Sequence, residues 1–229
     1  MIDVYVAGYP RSGTHWMARL LSDLLDSPIR PSNRKRPLNY NHCQRGEGGF
    51  RVNHGHLRPD NCPYDVEATV HITRDPRDVA VSNMYYQRRE PSDAGLMKVI
   101  KWMCQESKMV AYDKWVTGWL VTDAAQIKYE QLHSHPVEHM KRNLERFIGT
   151  PSSQSLVKVV NRQHFAQWVD TSPHVLRKGI VGDWRNHFTR RVGEYMHSYL
   201  GALLIGCGYV DNDRWFEELP EEVEWRSAV

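Results

Sequence analysis

Apolar positions follow two alternating rhythms along the chain. Ile2–Ala7 is a short β-branched run bounded by Gly8 and Pro10, which predicts a strand. Thr14–Leu25 carries Trp16, Met17, Leu20, Leu21, Leu24 and Leu25 at helical spacing and predicts a helix. Phe50–His54 and Ala68–Thr73 read as further strands, and Pro76–Tyr86 as a helix with proline in its first turn. A helical stretch follows through Trp119, then a fourth strand over Ala125–Tyr129, then helices over Pro136–Phe147, Gln154–Val160 and Arg190–Ile205. Strands alternating with helices predict an α/β fold with a central, mainly parallel sheet flanked by helices. Residues 27–49, rich in Pro, Asn, Arg and Gly, lack either period and predict a long loop.

With 229 residues and 41% apolar content the chain can bury one sizeable core, so a single domain over residues 1–229 is expected. Thirty Lys and Arg against 27 Asp and Glu leave a net charge of +3, too weak a field to indicate nucleic acid as a partner, though a local basic pocket for a small anion stays open. Cys43, Cys62, Cys104 and Cys207 form no C-x-x-C pair and are expected to be reduced thiols that bind no metal. The first residues lack the charged and apolar regions of a secretory leader, and no apolar run approaches the ~20 residues of a membrane span. A cytoplasmic protein is expected.

The first strand runs into Gly8-Tyr9-Pro10-Arg11-Ser12-Gly13-Thr14-His15-Trp16 and then into a helix. Such a turn points backbone N–H groups and a helix N-terminus at one place, where an anion is favoured. The spacing G-x-x-x-x-G opens a nucleotide-triphosphate P-loop, but Thr14 and His15 stand where that motif has Lys and then Ser or Thr. Arg11 can supply the cation instead, with bidentate geometry that lysine cannot reproduce. The fold expected is therefore a P-loop-like three-layer one around a phosphate whose chemistry needs no metal.

Tyr9–Trp16 resembles the 5'-phosphosulfate loop of the sulfotransferases that use 3'-phosphoadenylyl sulfate (PAPS), usually written Y-P-K-S-G-T-T-W. Ile72-Thr73-Arg74-Asp75-Pro76-Arg77-Asp78-Val79-Ala80-Val81-Ser82 resembles that family's 3'-phosphate element, R-N-P-K-D-x-x-x-S. Arg177-Lys178-Gly179-Ile180-Val181-Gly182-Asp183-Trp184 resembles its R-K-G-x-x-G-D-W segment. The resemblance implies a sulfotransferase with PAPS as donor, 3',5'-bisphosphoadenosine (PAP) as product and no metal. It implies that Arg11, Ser12, Gly13, Thr14 and His15 bind the 5' phosphosulfate, that Arg74, Ser82, Arg177, Lys178 and Gly179 bind the 3' phosphate, and that Trp16, Tyr129 and Phe165 lie against the nucleoside. A donor phosphorylated at both positions explains a second set of basic residues; a triphosphate enzyme has no use for one.

His54-Gly55-His56-Leu57-Arg58-Pro59 resembles the family's K-x-H-L-P, which gives His56 the place of the general base and His54 that of a lysine. A side chain titrating near neutrality suits removal of an acceptor proton. Arg11, with His54 if protonated, is expected to stabilise the departing phosphate. His15 and His54 are expected to make donor binding sensitive to pH. Arg190 replaces an apolar residue of a segment resembling the family's dimer motif, which predicts a monomer or a weak homodimer. The amino-terminal extension that shapes the acceptor pocket in cytosolic animal members is absent from the sequence, so the acceptor is left as a small molecule or glycan, with the 27–49 loop as one candidate wall. Two other classes stay in view. A P-loop kinase would use Asp75 or Asp78 to hold magnesium, and a non-catalytic protein would simply retain the bisphosphate nucleotide.

Overall fold

Four strands, β1 (Ile2–Gly8), β2 (Phe50–Gly55), β3 (Ala68–Thr73) and β4 (Ala125–Lys128), pair in the order β2-β1-β3-β4. Every pairing is parallel. The structure, a computed structural model, describes residues 2–27, 49–62, 68–105, 111–149, 151–164 and 178–225. The expected loop over 27–49 therefore lies almost wholly outside the described residues, as do Cys43, Phe165 and Arg177.

β1 is an interior strand, and its sequence shows why: Val4, Tyr5, Val6 and Ala7 are all buried, as a strand covered on both faces requires. Val4 and Val6 join one core cluster with Val52, Ala68, Val70, Ile72, Ala125 and Ile127. Alternation sends Tyr5 and Ala7 to the other face. Arg51 grips the Asp3 carboxylate across the β1–β2 register, tying the first strand to its neighbour.

α1 (Thr14–Leu24) packs on β1 and β2 through Met17, Ala18, Leu20 and Leu21. α6 (Pro136–Ile148) and α7 (Ser153–Arg162) add Met140, Leu144, Leu156 and Val159 to the same cluster. The fold is α/β, with a central parallel sheet flanked by helices. Two boundaries differ from the sequence expectation. β4 stops at Lys128, and Tyr129 opens a short helix, α5 (Tyr129–Ser134), because Tyr129 and Leu132 reach the core at helical rather than strand spacing. The expected helical stretch before Trp119 is two helices, α3 (Asp93–Cys104), capped by Ser92, and α4 (Tyr112–Leu120).

Contacts group the chain into two compact units, Met1–Arg74 with Thr117–Pro173, and Asp75–Val116 with His174–Val229. The first contains the sheet. The second contains α2 (Pro76–Tyr86), α3 and α8 (Arg190–Gly206). Every residue from Pro76 to Met84 of α2 is buried, although several are polar, so their partners must be protein groups. Asp75 accepts from the Arg77 N–H at 2.9 Å as the helix cap, and the Arg77 guanidinium grips the same carboxylate at 2.6 Å. That guanidinium also donates to Tyr209 O at 2.9 Å and lies over the rings of Trp184 and Trp215, 3.9 and 4.9 Å from their centroids. Arg190 opens α8 at the surface and pairs with Glu221 at 3.2 Å. Among the described residues no helix is long and apolar enough to cross a membrane.

The buried Asp75–Arg77 pair yields a test. Asp75→Ala leaves a guanidinium uncompensated and should lower stability by ~3 kcal/mol or more in a urea titration, whereas Asp75→Asn, still able to cap, should lose less. Equal losses from the two variants would show that the cap contributes nothing beyond the charge pair.

Candidate active site

β1 ends at Gly8, and the chain turns through Tyr9–Gly13 into α1. Ser12 N–H closes the turn on Tyr9 O at 3.0 Å. Two close approaches dictate its glycines. A Cβ at Gly8 would stand 2.0 Å from Thr14 Oγ1, and one at Gly13 would stand 2.6 Å from the Tyr129 ring, with Gly13 already in the left-handed region at φ 93°. Arg11 shares that region at φ 75° without glycine's freedom, a conformation that costs ~1–2 kcal/mol. Arg74 holds it there: buried at the end of β3, it donates to Arg11 O at 3.2 Å and lies 4.3 Å over the Tyr129 ring.

α1 starts with no side-chain cap and no acidic residue in its first turn. Its first N–H groups thus have no intrahelical acceptor, and the helix dipole favours an anion before them. The Ser12 and Thr14 hydroxyls are buried with no hydrogen-bond partner among the described residues. Such a cradle of orphaned donors fits a phosphate group. Trp16 borders it, edge-on to Tyr129 at 5.6 Å and fixed through its indole N–H to Gln163 O at 3.0 Å.

Three imidazoles and two guanidiniums face the loop. His15 and His54 meet edge to face with ring centroids 4.5 Å apart. His54, on β2, is lowered to about 3, chiefly by lost solvation, then by His15, His56 and Arg19. His15 is lowered to about 4 by lost solvation and by the charges of His56, Arg19 and Arg11. Solvent still reaches the His15 ring, so its depression marks a recess walled by protein rather than core burial. Lost solvation therefore leaves both rings neutral at pH 7, so a pH response of donor binding that rests on them belongs to the acid range. His54 does not replace a lysine's charge; Arg11 and Arg19 carry it. Arg19 went unnoticed in the sequence, although its place one helical turn beyond His15 was the available signal.

His56 Nδ1 lies 2.5 Å from Gly8 O. A carbonyl only accepts, so Nδ1 carries the proton and the lone pair of the neutral ring is on Nε2. Burial lowers the His56 pKa, the bond to Gly8 opposes that, and Arg11 adds to it, which favours the proton-accepting form at neutral pH.

The first unit thus brings together Arg11, Ser12, Gly13, Thr14, His15, Trp16, His54, His56, Arg74 and Tyr129. Ser82, Lys178 and Gly179 belong to the second unit. Ser82 is buried on α2, one turn beyond Asp78. Asp78 accepts the N–H groups of Gly182 and Trp184 at 2.7 and 3.0 Å, and Lys178 pairs with Asp183 at 3.8 Å. Both carboxylates of the kinase alternative are thereby engaged, Asp75 by Arg77 and Asp78 by backbone amides. Among the described residues no group of three or more His, Cys, Asp or Glu is placed to hold a metal ion.

The sulfotransferase domain family matches residues 49–208. The chain belongs to this family. It is 25% identical to mouse sulfotransferase 2B1 over 246 residues, covering 89% of this chain and 72% of that one. It is likewise 25% identical to human sulfotransferase 2A1, covering 82% and 79%. Among solved structures it is similar to mouse sulfotransferase SULT7A1 complexed with PAP, with a TM-score of 0.69 and 20% identity over 95% of this chain and 87% of that one. It is also similar to retinol dehydratase in complex with androsterone and inactive cofactor PAP, with a TM-score of 0.65 and 17% identity over 88% and 80%.

The depressed histidines of this sulfotransferase predict how its stability responds to acid. Free histidine titrates near 6.5, but His15 and His54 do so only near 4 and 3, so between these values the unfolded chain binds more protons. Stability should be full above pH 6.5 and fall as pH drops toward 4, with His15 contributing less because solvent screens it. Urea titrations at stepped pH should show a shallower decline in a His15→Asn/His54→Asn variant; an unchanged slope would remove these two rings from the account.

Proposed function

We propose that this sulfotransferase moves the sulfuryl group of PAPS onto a hydroxyl or amine of a small-molecule or glycan acceptor, with PAP as the second product. PAPS supplies the sulfuryl group and a phosphate leaving group; the chain supplies a cradle, permanent positive charge and a base. The observation that carries the reading is His56, whose Nδ1–H is engaged by Gly8 O. Its Nε2 lone pair is thereby available to take the acceptor's proton as the acceptor oxygen or nitrogen bonds to sulfur. The bond between sulfur and the 5'-phosphate oxygen breaks, and its electron pair stays on that oxygen.

Arg11 and the first N–H groups of α1 stabilise the charge gathering there, with the Ser12 and Thr14 hydroxyls as further donors. Transfer gains most from such positioning, as phosphoryl transfer does. Trp16 and Phe165 are assigned to the adenine, which aromatic faces suit, and Tyr129 to a contact with the nucleotide. Arg74, Ser82, Arg177, Lys178 and Gly179 are assigned to the 3' phosphate on the motifs they share with the family. Arg74 also braces the loop at Arg11 O, so it serves both phosphates. The reading takes the two units as parts of one domain over residues 1–229, because the shared motifs are divided between them. It places the reaction in the cytoplasm and leaves the chain a monomer or weak homodimer. The PAP named in the structures of similar fold supports the donor.

A thermal melt tests the donor. PAP at 100 times its dissociation constant should add about 2.7 kcal/mol without magnesium, and Arg74→Ala and Ser82→Ala should each diminish the gain. Stabilisation by ATP with magnesium, and none by PAP, would overturn the reading in favour of a kinase.

A further inference from the structure

Behind His56 lies a buried polar network that the transfer chemistry does not use. Tyr5, on the face of β1 opposite the main cluster, is 2% exposed, and its hydroxyl accepts the Leu57 N–H at 3.0 Å. Trp119, near the end of α4, is also 2% exposed and donates its indole N–H to Leu57 O at 3.1 Å. Both backbone groups of the residue that follows His56 are thus held by buried side chains from different elements. On the other side of His56, a Cβ at Gly55 would stand 2.9 Å from the Tyr5 hydroxyl, so Tyr5 also touches the residue that precedes it.

The network reaches back into the sheet. Trp119 O accepts from Gln126 Nε2 at 3.0 Å, and the Gln126 carbonyl lies 2.7 Å from His71 Nδ1. The His71 ring is in turn stacked on Trp119, with centroids 5.9 Å apart and 24° between planes. Side chains of β1 and α4 thus hold both backbone groups of Leu57, and residues of β3 and β4 support Trp119 behind them. A core need for two apolar rings explains neither the indole N–H nor the phenol hydroxyl. Buried, each would be costly without a partner, and each finds it on the same residue.

We propose that Tyr5 and Trp119 are positioning residues for His56, fixing the backbone at Leu57 so that the imidazole keeps its bond to Gly8 O and presents Nε2. The inference rests on the reading of His56 as base. In catalytic triads a carboxylate selects the tautomer; here the acceptor is a backbone carbonyl, whose single fixed direction orients the ring only if the chain at Gly55–Leu57 is fixed as well. Tyr5→Phe and Trp119→Phe delete the hydrogen bonds and keep an aromatic ring in each place.

The test is 15N NMR of the histidine-labelled protein at pH 7.5, with the His56 signals assigned by their loss in His56→Asn. Wild type should show one tautomer with the proton on Nδ1. In each folded variant the tautomer ratio should move toward Nε2–H by about fivefold, the size of one net hydrogen bond. PAP affinity, set by the cradle, should stay unchanged. A tautomer ratio that stays at the wild-type value in either variant overturns the proposal. Melting of each variant establishes that it is folded, and Tyr5→Phe and Trp119→Phe act from different elements, so the failure of one to fold leaves the other decisive. Turnover retained by His56→Asn would instead defeat the assignment of the base while the tautomer result stood.

Discussion

Gly8 O accepts from His56 Nδ1, and the same residue allows Thr14 to approach where a Cβ would come 2.0 Å from its hydroxyl. One residue therefore ends an interior strand, admits the first residue of α1 and orients the His56 ring. The second glycine of the turn completes the constraint, since Gly13 gives up space to the Tyr129 ring, over which Arg74 lies before reaching Arg11 O. The α1 amides, Arg11 and His56 are thus held by one packed turn. A side chain at either glycine would move the α1 amides relative to His56, and in-line transfer is sensitive to displacements of that size.

The electrostatics of the recess follow from that crowding. Lost solvation weakens the hold of the imidazoles on their protons, and the neighbouring basic side chains add to the effect. His54 and His15 titrate near 3 and 4, which leaves the guanidiniums of Arg11 and Arg19 as the fixed positive charge. Neutral imidazoles beside fixed guanidiniums let the recess attract an anion while His56 remains able to accept a proton. Where the family motif has lysine on the K-x-H segment, this chain has a neutral imidazole on β2, with guanidiniums on the loop and on α1.

Much of this was legible in the sequence, for identifiable reasons. Central strands of a parallel sheet carry apolar residues on both faces, so β1 stood out, and Gly8 and Gly13 bracket a turn whose spacing is itself the signal. The start of α5 was not legible, because Tyr129 suits a strand and only Leu132 three residues on reveals the helix. Neither was the neutrality of His54, which depends on partners far apart in sequence. Nor were the bonds of Tyr5 and Trp119 to Leu57, because nothing local shows that an indole N–H or a phenol hydroxyl bonds a distant backbone group. Arg74 showed the opposite: its motif suggested a phosphate ligand, and the fold adds a role as brace of the loop.

The central claim is that His56 draws the proton from an acceptor while the loop holds a sulfuryl donor. Radiolabelled PAPS incubated with a panel of phenols, aliphatic alcohols, amines and sugars, with wild type and His56→Asn side by side, measures it directly. The account predicts transfer of label by wild type to at least one acceptor without added metal, and a fall of about 100-fold or more in His56→Asn with PAP binding intact. Equal transfer by the two proteins would contradict it.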